Sequence, residues 1–215
     1  NYGFLLVETR AADKGIAEFE KILTTDPGNL AARVNIGFAL IQKGDLDRAV
    51  TRLQEVVTMD PSLAIAHYNL GLAFKHKDNL ADAKKHLAKA LELDPQLAEA
   101  HYTLGITHWQ SGEFEATASE MKAAIGLRPE YAEAHAMLGT VLKQNGDLTG
   151  ALAALRRAVE LDPANPGPHN AIGQVLRATG DLEGSKSALA EAARLKRERE
   201  AEQARMFREK SPGAR

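Results

Sequence analysis

The pentapeptide "HYNLG" at residues 67–71 returns as "HYTLG" at residues 101–105, an interval of 34 residues. Its glycine keeps that interval along the chain, at Gly3, Gly37, Gly71, Gly105, Gly139 and Gly173. A proline keeps it too, at Pro27, Pro61, Pro95, Pro129 and Pro163, each preceded by Asp except Pro129, which follows Arg128. Two columns in fixed register with no insertion mean an array of one unit, because periods of roughly 20 to 50 residues belong to solenoids and propellers. The length of 215 residues then sets no domain count, since stacked repeats share one continuous core.

Residues 64–97, "AIAHYNLGLAFKHKDNLADAKKHLAKALELDPQL", show what one unit builds. His67, Leu70, Gly71 and Phe74 fall at i, i+3, i+4 and i+7, one stripe of an α-helix. That helix is expected to end near Asp78-Asn79, where the other full repeats read Gly44-Asp45, Gly112-Glu113, Gly146-Asp147 and Gly180-Asp181. Glycine suits the left-handed residue after a helix, and Asp or Asn suits the N-cap of the next. Leu80, Ala83, Leu87 and Ala90 mark a second helix at the same spacing, which the Asp-Pro pair then stops. Small residues recur where the two helices must meet, at Gly37, Gly71, Gly105, Gly139 and Gly173 in the first and Ala49, Ala83, Thr117, Ala151 and Ser185 in the second.

The series His67, Leu70-Gly71, Phe74, Ala83, Leu87, Ala90 and Pro95, repeated as His135, Leu138-Gly139, Leu142, Ala151, Leu155, Ala158 and Pro163, resembles the tetratricopeptide repeat family. The strings also look like the repeat arm of O-linked N-acetylglucosamine transferases and of many bacterial repeat proteins. The resemblance covers essentially the whole chain. It implies an all-α, right-handed superhelical solenoid with one partial repeat over 1–29 and five full ones over 30–63, 64–97, 98–131, 132–165 and 166–199. Arg197 stands where a proline would end the last helix, so a polar capping extension is expected to about residue 210, leaving "SPGAR" as a disordered tail. Gly3 lies only two residues from Asn1, so a preceding piece of the first unit is expected to be missing.

Composition narrows the function classes. The formal net charge of −2 supplies no basic face for nucleic acid, and no run of about 18 apolar residues exists for a membrane span. With no cysteine there is neither a disulfide framework nor a thiolate metal site, which suits the cytosol and the bacterial periplasm equally and leaves the compartment open. No phosphate loop, dinucleotide fingerprint or H-E-x-x-H occurs, and Ser119-Glu120-Met121-Lys122 matches S-x-x-K without its companion motifs. No catalytic residue, cofactor or metal is therefore expected. The regularly spaced His67, His101, His135 and His169, with Arg33 in the same column, read as a packing column with a polar edge. Equivalent atoms of adjacent repeats sit about 10 Å apart, too far for one metal ion.

The family's architecture puts the first helices on a concave side, so three columns are expected to line a groove. They hold Val34, Tyr68, Tyr102, Ala136 and Asn170; Phe38, Leu72, Ile106, Thr140 and Gln174; and Ile41, Lys75, Trp109, Lys143 and Arg177. The first half is apolar and aromatic, and the second offers amides and cations. An extended peptide or a partner helix, apolar at one end and acidic at the other, is the expected ligand, with Trp109 the leading hot spot. Chaperone-binding members grip a C-terminal carboxylate with Lys and Asn in columns that here start with Val34, Phe38, Tyr68 and Leu72. Asn35 and Asn69 match the family's asparagine column, but Thr103, Met137 and Ala171 follow, so that clamp is not expected. The expected function is a non-catalytic scaffold for protein or peptide partners. Two alternatives are the repeat arm of a larger polypeptide, such as a substrate-presenting arm of a glycosyltransferase, and a structural subunit of a cell-envelope or secretion assembly.

Overall fold

The computed structural model describes residues 2–210, with side chains over 12–207. Among the described residues there are eleven α-helices and no strand. They are α1 (Tyr2–Thr25), α2 (Leu30–Lys43), α3 (Leu46–Met59), α4 (Ala64–His76), α5 (Leu80–Leu93) and α6 (Ala98–Gln110), followed by α7 (Phe114–Leu127), α8 (Ala132–Gln144), α9 (Leu148–Leu161), α10 (Pro166–Ala178) and α11 (Leu182–Lys210).

Local chemistry ends each first helix in the same way. Gly44 adopts φ 79° and donates its N–H to the Ile41 carbonyl, while the Asp45 N–H reaches back to Leu40, both at 2.9 Å. This double closure satisfies two carbonyls that the helix end leaves open. Gly112, Gly146 and Gly180 repeat it, whereas Asp78 takes the same left-handed position at φ 59°. The caps that follow are less uniform than their residue types promise. Asn79 and Asp147 accept from the backbone N–H groups of Asp82 and Gly150. Asp45 instead pairs with Arg48, and Glu113 with His108, so neither caps its helix through its side chain. The second helices stop at Asp60, Asp94, Arg128 and Asp162, each forced toward extended backbone by the proline after it.

The ends depart from the repeat. The turn of the partial first unit would fall at Arg10-Ala11, yet α1 runs through it as one helix, because neither residue supplies the glycine and cap of the other turns. α11 continues through Arg197 in the proline column to Lys210. The tail "SPGAR" lies outside the described residues.

The helices form two compact units, Asn1–Thr107 and His108–Arg215. In the first, α1 packs on α2, α2 pairs with α3 and α4 with α5, and the first helices α2 and α4 lie against each other. Its core joins Ile16, Ile36, Leu40, Leu53, Leu70, Phe74 and Ala83. In the second, α8 pairs with α9 and α10 with α11, with α8 beside α10 and a core around Ala151, Leu155, Ile172 and Val175. Leu53, Leu87, Met121 and Leu155, one column of the second helices, are all fully buried.

Candidate functional site: the first-helix faces

The histidine column has a definite job. Nε2 of His135 donates to the Pro129 carbonyl at 2.9 Å, and His67, His101 and His169 bond the carbonyls of Pro61, Pro95 and Pro163 in the same way. In the earliest full repeat Arg33 gives two such bonds to Pro27, at 3.1 and 2.8 Å. Each column residue thus ties its helix to the turn that precedes it. A carbonyl only accepts, so Nε2 carries the proton and Nδ1 is left as an acceptor. At His67 the structure places another ring there: Nδ1 of His86 lies 3.1 Å away. The ring centres are 5.4 Å apart, so two ring radii and the N···N gap account for the whole separation and the rings meet edge to edge. His86 is the donor in that bond. Burial, then the His67 and Lys85 charges, lower its pKa from the ordinary histidine value. No group of three or more metal-binding side chains occurs among the described residues.

In the first unit the three expected groove columns separate. Val34 and Ile41 do not line a surface. Val34 packs with Val56 and Ala66, and Ile41 belongs with Ile16 to the main core, because α2 is flanked by α1 as well as by α3 and α4. Phe38 is 40% exposed, and Leu72 is half-buried against the core edge. Tyr68, Tyr102, Ile106 and Lys75 are half-buried. Burial raises the Tyr68 pKa; a hydrogen bond with Thr103 opposes the shift and the charge of Glu99 reinforces it. Asn69, in the asparagine column, is buried, while Asn35 is exposed.

The second unit carries a polar strip. Lys143 Nζ donates to Gln174 Oε1 across α8 and α10, and the Gln174 amide donates to Asn170 Oδ1 at 2.7 Å. Thr140 turns its hydroxyl back to the Ala136 carbonyl of its own helix. Arg177 is exposed. Trp109 is half-buried, with its ring tilted on Phe114 at a centroid distance of 5.0 Å, so part of its surface is committed to the fold.

Profiles of tetratricopeptide repeats match residues 37–78, 64–97, 102–166 and 142–207. The chain belongs to the tetratricopeptide repeat family. Solved structures agree with this array. A MamA structure is 26% identical at TM-score 0.72, the match covering 77% of this chain and 97% of that one. YrrB, a TPR protein with an unusual peptide-binding site, is 22% identical at TM-score 0.70, with coverage of 82% and 91%. Pseudomonas aeruginosa pilF is 21% identical at TM-score 0.71, with coverage of 77% and 75%. No curated protein matches the chain.

The tetratricopeptide register also exposes what three columns leave out. Ile65, one turn before Tyr68 on α4, is 40% exposed and extends the apolar stripe of Leu72. Its signal was the column six residues before the glycine, which holds Ala31, Glu99, Glu133 and Gly167 in the other repeats and so shows no common chemistry. No helix among the described residues is long and apolar enough to cross a membrane.

Proposed function

We propose that this array is a non-catalytic scaffold whose first-helix face holds an extended peptide or a helix of a protein partner. The observation that carries the reading is the pair Phe38 and Ile65, large apolar residues each 40% exposed on the neighbouring helices α2 and α4. Large apolar groups left exposed to water mark interaction surfaces, and half-buried Tyr68 and Leu72 lie on α4 in the same helical stripe as Ile65. The second unit, taken by itself, offers the polar strip of Lys143, Gln174 and Asn170 as hydrogen-bonding groups for a polar ligand. YrrB supports the mode, being a peptide-binding member of the same fold.

The test is affinity capture from extract, read by mass spectrometry, with the wild type beside a Phe38→Glu, Ile65→Glu double variant and a Tyr102→Ala, Trp109→Ala double variant of unchanged helical circular dichroism. A partner held by the wild type and lost by the variants is expected. Equal capture by all three would move the interaction away from the first-helix face.

A further inference from the structure

A cation stands inside the apolar face of the first unit. Lys75 lies on α4 one turn beyond Leu72 and two turns beyond Tyr68, so the three share one stripe. In α2 the same column holds Ile41, so an aliphatic side chain is compatible with this place in the helix. Lys75 is half-buried, and burial pulls the pKa of its ammonium below the usual lysine value.

Several cations on or just past the first helices have partners, whereas Arg177 on α10 is exposed to solvent and so carries little desolvation. Lys43 bonds Asp13 at 2.6 Å, Lys77 bonds Asp47, and Lys143 bonds Gln174. The Lys75 ammonium has no ion pair and no hydrogen bond among the described residues. Its neighbour His76 adds no negative charge; the Lys75 charge, after burial, lowers the His76 pKa. A partly desolvated ammonium without a counter-charge is unfavourable by itself and becomes favourable once a carboxylate forms a charge-assisted hydrogen bond with it.

We propose that Lys75 is an anion anchor within the apolar face, and that the ligand is a peptide segment in which an Asp or Glu side chain accompanies large apolar residues covering Phe38 and Ile65. This rests on the reading of the first-helix face as the peptide site. It places an acidic requirement in the apolar half of the array, where the residue types of the other columns announce none. Lys75 sets the specificity and the aliphatic and aromatic neighbours supply contact area.

Random peptides displayed with their C-termini fused to the carrier, selected on the full chain, test this and leave no terminal carboxylate to compete. The wild type is expected to enrich peptides that combine Asp or Glu with large apolar residues. A labelled synthetic copy of an enriched peptide should bind about tenfold or more weakly to Lys75→Gln, recover on Lys75→Arg, and lose affinity with added salt. Selection on Lys75→Glu should enrich Lys or Arg in place of the acid. Enriched peptides that lack a carboxylate, or that bind Lys75→Gln as well as the wild type, overturn the anchor. In that case loss of binding in Phe38→Glu, Ile65→Glu leaves the face itself standing as the site. Peptides that bind this double variant undiminished overturn the face and the anchor together, as does a selection that enriches nothing.

Discussion

A Cβ added to Gly71 would lie 2.7 Å from Cγ of Leu87 and 3.1 Å from the Ala83 carbonyl oxygen. Leu87 is fully buried and the carbonyl is backbone, so neither can yield freely. Gly71→Ala gains about 1 kcal/mol of helix propensity but meets an overpacking cost of about 1–3 kcal/mol. A net loss of about 1 kcal/mol is expected in guanidinium denaturation. Gly173 faces Leu189 at 2.6 Å, yet Leu189 is 37% exposed and free to turn away, so Gly173→Ala should cost less than Gly71→Ala. Gly126 in α7 has nothing within 4 Å of an added Cβ, and Gly126→Ala should stabilise by about 0.5–1 kcal/mol.

Asp78 occupies the left-handed position that glycine fills after the other first helices, at φ 59° against 76° to 89°. Aspartate tolerates this region better than most residues but still carries strain. Asp78→Gly should therefore raise stability by about 0.5–1 kcal/mol, read as a higher denaturation midpoint at unchanged slope. Gly44→Ala, which imposes a Cβ on the same conformation, should move the midpoint the other way by about 1 kcal/mol.

The period, the two-helix unit and its turns were legible in the sequence because Gly, Leu, Ala and Pro each answer a geometric demand that recurs in every repeat. Surface was less legible. Val34 and Phe38 are four residues apart and both apolar, yet one is core and the other is exposed, since the outcome depends on how α1, α3 and α4 surround α2. The column pattern gives Lys75 and Lys143 the same role, whereas only Lys143 meets an amide from the next first helix. The histidine column was legible as packing, but its bond to the proline carbonyl needed the turn to be built. α1 runs through the register position of a turn because Arg10 and Ala11 replace the Gly-Asp or equivalent pair that ends the other first helices.

The His67 and His86 pair makes stability depend on pH. Burial and the neighbouring His67 and Lys85 charges hold the His86 pKa below its unfolded value, so between the two values the unfolded chain binds more protons. Stability from this site is full above the ordinary histidine value of about 6.5 and falls as pH drops through that value toward the lowered one. Denaturation midpoints compared at about pH 7.5 and 5.5 should show the decline. His86→Phe keeps a ring beside Phe74, whose centroid lies 5.6 Å away, and removes the titrating nitrogen. Its midpoint should change less between the two pH values, while His76, lowered in the same direction by burial and by Lys75, leaves a residual slope in both proteins.

The bond from His135 Nε2 to the Pro129 carbonyl, 2.9 Å long, fixes the start of α8 to the turn before it. His135→Phe preserves an aromatic ring but leaves that carbonyl without its donor, and a loss of about 1 kcal/mol is expected. Arg33 already performs the same task with a guanidinium in the earliest full repeat, so His135→Arg should keep most of the wild-type stability. The comparison separates the hydrogen bond from ring packing. Arg matching wild type while Phe loses stability assigns the column to the carbonyl bond, and the reverse order would assign it to the ring.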